Sequence, residues 1–285
     1  MKEDAWIAAI RRWAGGRRRA DVIAGIGDDC AILRPPAGQD LLVTTDLLME
    51  GVHFRRGWLT ARQTGWKALA RGLSDIAAMG GEARQALVSL ALPAWADERW
   101  AKEFYRGMAE LAAKWRVAVV GGDLTRGRLF TADIVVLGSA PRGKALRRDG
   151  AKTGDVIYVS GALGRAAVAG YRDVPEPRLA LGRRLRGRAT ACMDLSDGLV
   201  LDLCRMCLAS GTAAELDGML PAAPGAAIEQ ALFGGEDYEL LCTLPPGVRP
   251  PRGFTRIGRM VAGKPAGAVW FAGARLKTGG WDPFR

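Results

Sequence analysis

The chain is predicted to be an α/β (α+β) protein of two domains. Runs of branched apolar residues alternate with amphipathic helical patterns, and a polar stretch rich in Gly and basic residues interrupts them near 141–155. The length of 285 residues is also at the size where one hydrophobic core stops growing, which favours two domains over one. Together these predict domains of residues 1–140 and 141–285.

The elements follow in order. Trp6, Ile7, Ile10 and Trp13 recur at helical spacing in MKEDAWIAAIRRWAGGRRR, which predicts an amphipathic surface helix. That segment carries Glu3 and Asp4 and no apolar h-region, so it does not read as a secretory signal. Strands are expected at 41–46, 85–92, 116–121, 130–138 and 156–160, with helices at 60–79 and 97–115. The second helix is the clearer: Trp100, Phe104, Met108, Leu111 and Trp115 share one face after the acidic start Asp97, Glu98. Past the break come helices at 163–171 and 178–187, a third beginning at Asp197, and strands at 238–244, 254–259 and 268–271.

Composition narrows the function classes. No apolar run approaches the ~20 residues of a membrane helix. The five cysteines form no paired framework, which suits a reducing compartment and makes cytoplasm the expectation. The formal charge of +11 comes from scattered arginines without the aromatic interleaving of a single-strand groove. A soluble basic surface or a phosphate-steering field is expected rather than nucleic-acid binding.

Seven aspartates stand in short Gly-, Ser- and Thr-rich segments: GIGDD (Asp28, Asp29), TTD (Asp46), LSDIAAMGG (Asp75), VVGGDLTRG (Asp123) and MDLSDGL (Asp194, Asp197). Hard carboxylate oxygens beside flexible backbone suit Mg2+ held against phosphate. Asp46 is expected to close an apolar strand, and Asp123 to follow a buried one after Gly121 and Gly122. Asp75 falls among Leu73, Ile76 and Met79, where a carboxylate is costly without a partner, and a metal is the expected partner. Asp194 ends a strand-like run, while Ser196 and Asp197 open a helix. Each segment has a plainer reading: turn chemistry for GIGDD, strand propensity for Thr44 and Thr45, N-capping for Ser196 or Asp197. One grammar recurring in five segments favours phosphate chemistry over five separate coincidences. Neither GxxxxGK[ST] nor a strand-Gly loop-helix GxGxxG occurs, so phosphate recognition is expected to run through metal. Cys204 and Cys207 lack a second pair and read as core filler.

GIGDDCAIL, TTDLLMEGVHF, ALARGLSDIAAMGG, VVGGDLTRG, ALRRDGAKTGD, MDLSDGL and GGEDYELL, in this order across nearly the whole chain, closely resemble the bacterial thiamine-monophosphate kinases. These belong to the superfamily of aminoimidazole ribonucleotide synthetase. The resemblance implies an N-terminal mixed sheet with helices that binds ATP and Mg2+ and forms a homodimer, followed by a C-terminal α/β domain. It implies transfer of phosphate from ATP to thiamine phosphate, giving thiamine diphosphate. Metal binding would fall on Asp29, Thr44, Thr45, Asp46, Asp75, Asp123, Asp194 and Asp197, with Asp28 adjacent. ATP contacts would fall on Tyr105, Gly122, Asp123, Arg148 and Ser196, with Arg148 stabilising transition-state charge. His53, Glu236 and Trp281 would meet thiamine phosphate, although without its place in EGVHF His53 reads as an ordinary exposed or packed histidine. The chain is shorter than the family pattern between Tyr171 and Arg178 and between Asp217 and Phe233. The acceptor phosphate oxygen is already ionised at neutral pH, so this chemistry needs no general base and rests on positioning and charge. Another ATP-using member of the superfamily and a non-catalytic nucleotide or thiamine-phosphate binder are the alternatives. The selenium enzyme's early reactive cysteine and the hydrogenase protein's terminal cysteine have no counterpart here.

Overall fold

The computed structural model describes residues 3–14, 19–26, 30–263 and 265–282, so Asp28 and Asp29 lie outside the described residues. The chain separates into two compact units: residues 1–76 with 82–143, and residues 77–81 with 144–285.

The first unit contains α1 (Glu3–Ala14), a small hairpin of β1 (Val22–Ala24) and β2 (Ile32–Leu33), then β3 (Gln39–Met49), α2 (Ala61–Ala78), β4 (Glu82–Leu92), α3 (Glu98–Trp115), β5 (Ala118–Arg126) and β6 (Thr131–Pro141). Its four-stranded sheet has the order β3-β6-β4-β5, antiparallel except for the β4/β5 pair, which α3 connects. Strand alternation turns Leu42, Thr44, Asp46 and Leu48 of β3 to one side and Leu41, Val43, Thr45 and Leu47 to the other. The first set meets α2, with Leu48 fully buried, whereas Leu41, Val43 and Leu47 are exposed. Two glycines let α2 and α3 touch backbone to backbone. A Cβ on Gly65 would stand 1.8 Å from the Phe104 carbonyl oxygen, and one on Gly107 1.8 Å from that of Arg62. Asp97 caps α3 by accepting the Trp100 N–H at 2.8 Å. Trp100, Phe104, Phe130 and Phe54 pack edge to face and stacked beside it.

The second unit contains β7 (Val156–Ser160), α4 (Arg165–Val168), α5 (Leu179–Leu185), β8 (Ala191–Asp194), α6 (Leu199–Ser210), β9 (Thr212–Leu216), α7 (Ile228–Phe233), β10 (Leu240–Leu244), β11 (Phe254–Ala262), β12 (Val269–Phe271) and β13 (Ala274–Arg275). Its seven-stranded sheet has the order β13-β12-β9-β11-β7-β10-β8, antiparallel except where β12 meets β9. The core lies between this sheet and α6 and includes Ile157, Met193, Leu203, Met206, Cys207 and Ile257. Cys204 and Cys207 are packed into it as free thiols.

The mixed α/β class is as expected, and three local expectations change. β3 pairs with β6 as far as Met49, so Asp46 lies inside the strand rather than at its end. β5 continues to Arg126, so Asp123 is also within a strand. Residue Val120 is extra in the β4/β5 register, and Gly122 accepts the close approach that follows, since a Cβ there would stand 1.9 Å from the Val88 carbonyl oxygen. Finally, α6 begins only at Leu199, with Gly198 as N-cap and no side-chain cap, so neither Ser196 nor Asp197 caps it.

Candidate active site

In the first unit, β3 and α2 assemble a polar cluster. Arg71 donates through Nε (2.9 Å) and Nη2 (2.6 Å) to Asp46 Oδ1, and Thr44 Oγ1 donates to Asp75 Oδ2 at 2.5 Å. Asp75 therefore has a protein partner inside the fold. His53 stands on the turn that follows β3, where its Nδ1 accepts the Met49 N–H at 3.0 Å. With Nδ1 occupied as acceptor, the neutral ring carries its proton on Nε2. Burial, reinforced by the charges of Arg71 and Lys67, lowers the His53 pKa to about 4, so the ring is neutral at physiological pH. Lys67 is itself buried.

The other two predicted residues of this sheet face the opposite way. Thr45 Oγ1 donates to Asp133 Oδ1 at 2.5 Å, and Asp133 lies across from Ser89, which lies across from Asp123. Cross-strand neighbours share a face, so Asp123 belongs with Thr45 and Asp133 rather than with Asp46, whose neighbour Ile134 is fully buried. Asp123 is exposed and its Oδ1 accepts the Leu124 N–H at 2.8 Å. Tyr105 differs from expectation: its ring is buried against Trp13 and Phe104, and burial raises its phenol pKa above the usual tyrosine range. A ring so enclosed presents no face to a nucleotide.

In the second unit four predicted residues converge. The loop after β8 carries Ser196 and Asp197; the Ser196 carbonyl accepts the Glu236 N–H at 2.7 Å, and the Asp197 carbonyl accepts the Trp281 N–H at 2.8 Å. Trp281 is 45% exposed, so its indole is open to a ligand. Asp194, at the end of β8, is buried opposite Leu240. Arg205 pairs with Asp197 and, at 2.9 Å, with Asp202, whose Oδ2 accepts the Asp197 N–H at 3.0 Å. Burial raises the Asp202 pKa to about 7. Arg148 is elsewhere: its carbonyl accepts the Ser210 hydroxyl at the C-terminal end of α6, and that helix is about 18 Å long at 1.5 Å per residue.

Among the described residues no three His, Cys, Asp or Glu side chains form a group that could hold a metal ion. The expected aspartates instead occupy separate clusters, two on opposite faces of one sheet and one in the second unit. Arg71, Asp133, Asp202 and Arg205 were not among the sequence candidates. Period-2 alternation in β6 and the four-residue spacing of Arg71 and Asp75 on α2 are the signals that point to two of them.

Residues 27–140 match the family described as AIR synthase related protein, N-terminal domain. Thiamine-monophosphate kinase of Escherichia coli (strain K12) is 39% identical over 256 residues, covering 80% of this chain and 78% of the relative. The crystal structure of thiamine-monophosphate kinase from Stenotrophomonas maltophilia K279a, 37% identical, superposes with a TM-score of 0.84 and covers 97% of this chain and 98% of that one. AaThiL complexed with AMPPCP and TMP, 31% identical, gives a TM-score of 0.80 over 98% of this chain and 96% of that one. Residues 27–140 thus form a domain of the AIR synthase related class. Within that class, it belongs to the thiamine-monophosphate kinase family.

Proposed function

We infer that this chain carries out the reaction of its family, the ATP-dependent phosphorylation of thiamine phosphate to thiamine diphosphate. The carrying observation is likeness over nearly the whole chain to a relative solved with AMPPCP and TMP together. Both ligand types are thereby accounted for by one fold.

The chain's own residues supply three functions. His53, a neutral ring with its proton on Nε2, and Glu236 and the exposed Trp281 are the residues assigned to the acceptor. Ser196 and the close-approach Gly122 present backbone and hydroxyl groups to ATP phosphates. Arg148, exposed and at the other end of α6 from the Ser196 loop, is the cation that the resemblance assigns to developing charge. The acceptor oxygen arrives ionised, so no residue is needed as general base.

The hard oxygen donors suit Mg2+ in kind, although among the described residues they do not gather into one metal-holding group. Thr44, Asp46 and Asp75 gather hard oxygens on the α2 side of the sheet, and Thr45 and Asp123 do so on the other face. Asp28, Asp29, Asp194 and Asp197 are the further carboxylates that the resemblance assigns to metal binding. Bound Mg2+ supplies charge neutralisation between two polyanions. Asp46 and Asp197 each lie beside an arginine, so their carboxylates are oriented by Arg71 and Arg205.

The working form is a homodimer. Leu41, Val43 and Leu47 present an apolar sheet face, which is the kind of surface a second copy covers. The free cysteines suit the cytoplasm. Turnover of ATP and thiamine phosphate, followed by product chromatography with and without chelator, tests the reaction and its metal dependence together.

A further inference from the structure

Five described non-glycine residues have left-handed backbone, and three of them, Tyr171 (φ 60°), Glu236 (φ 64°) and Tyr238 (φ 50°), gather around one buried carboxylate in the second unit. Such backbone persists only where its surroundings over-determine it, and it concentrates at ligand sites. Here the over-determining group is Asp237, itself 3% exposed. Its Oδ2 accepts the Gly164 N–H at 2.6 Å and its Oδ1 the Ala166 N–H at 3.0 Å. The Ala166 carbonyl in turn accepts the Tyr171 N–H at 2.8 Å. One side chain therefore links the segment carrying Glu236 to the segment carrying Tyr171.

The other side of the strained segment is equally fixed. Ser196 and Leu195 carbonyls accept the Glu236 and Tyr238 N–H groups, and the Glu239 carbonyl accepts the Leu195 N–H at 2.8 Å. The Glu239 carboxylate is buried between Arg178 and Ser160 Oγ. Tyr171 remains half-buried, and after burial the charges of Glu236 and Asp237 are what raise its phenol pKa, so its ring stands within their electrostatic reach. Through the Leu195 and Ser196 carbonyls the strained segment is also tied to the loop after β8.

We propose that Tyr171 joins Glu236 in recognising the thiamine end of the acceptor, and that Asp237 is the positioning residue that sets both. The buried carboxylate holds two left-handed turns in register, so that an anionic side chain and an aromatic ring project from adjoining segments. That pairing suits a cationic heteroaromatic group. The proposal rests on Glu236 contacting the acceptor as inferred above.

Steady-state kinetics of Asp237→Asn, Tyr171→Leu and Glu236→Gln in the full chain test it. Asparagine turns one acceptor of Asp237 into an NH2 that faces a backbone N–H, which disturbs the link without removing volume. The expected result is a rise of about tenfold in the Michaelis constant for thiamine phosphate in all three variants, with that for ATP within about twofold. A selective effect in Glu236→Gln but in neither of the others overturns this proposal alone. No selective effect in Glu236→Gln overturns the underlying assignment and the proposal with it. Equal rises for both substrates mean that Asp237 and Tyr171 act only on stability, which also overturns it. Should Asp237→Asn fail to fold by circular dichroism, Tyr171→Leu decides: a selective rise supports the proposal and an unselective one refutes it.

Discussion

His53, the chain's single histidine, gives the most direct residue-level prediction. Burial and the neighbouring Arg71 and Lys67 oppose its protonation, so its pKa falls from 6.5 to about 4. The unfolded chain binds that proton first as pH drops, so His53 begins to cost stability below pH 6.5, and the loss is complete near the folded value of about 4. Its imidazole NMR resonances are expected to stay unchanged from pH 8 to about 5.5; a midpoint near 6.5 would place the ring in solvent. Asp46 gives a second prediction. Asp46→Asn keeps the side chain's volume while weakening the Arg71 pair and the proposed Mg2+ ligand, so turnover should fall by a factor of about a hundred or more with an unchanged circular dichroism spectrum. Trp281 is half-exposed and tied to Asp197 only through backbone, so Trp281→Ala should leave the fold intact. Its expected effect is a rise of roughly five- to thirtyfold in the Michaelis constant for thiamine phosphate and little for ATP, from the loss of stacking on a cationic ring. Equal effects on both substrates would reduce Trp281 to a packing residue.

At the scale of elements, the α2/α3 contact is the most sensitive joint of the first unit. Gly107→Ala places a methyl where the Arg62 carbonyl stands, and the helices must separate to admit it. A destabilisation of about 1 to 3 kcal/mol is expected, read as a lower melting temperature; an unchanged Tm would mean that the helices do not pack at that distance. Why some elements were legible and others not follows from the same physics. Trp100, Phe104, Met108 and Leu111 announce α3 because its whole apolar stripe is core. The ends of β3 and β5 were not legible, since Leu47–Met49 and Leu124–Arg126 join strands only through pairing with β6 and β4. Ser196 and Asp197 carry the composition of a helix cap, yet Asp202 takes the Asp197 amide and α6 starts two residues later. The segments β9 and α7 are five and six residues long, too short for periodicity to register. The candidate site was legible as a list of carboxylates but not as an arrangement, because face and partner depend on register: Thr45 and Asp46 are adjacent in sequence and on opposite sides of the sheet.

For the molecule as a whole, the candidate residues form separate clusters, two on opposite faces of one sheet and one in the second unit. The resemblance implies a homodimer, and an exposed apolar face at Leu41, Val43 and Leu47 suits a second copy of the first unit. Light scattering at micromolar concentration should therefore report twice the chain mass of 30.4 kDa, and a monomer there would remove the assembly from the account. The net charge of +11 fits the same picture, since a basic field steers anionic substrates and predicts that the rate at low substrate falls with added salt. The central claim, metal-dependent phosphoryl transfer from ATP to thiamine phosphate, is tested most directly by incubating the purified chain with both substrates and Mg2+ and separating the products. Equimolar ADP and thiamine diphosphate, abolished by excess chelator and restored by added Mg2+, is the predicted result. ATP consumption without thiamine diphosphate, or turnover undiminished by chelator, would contradict it.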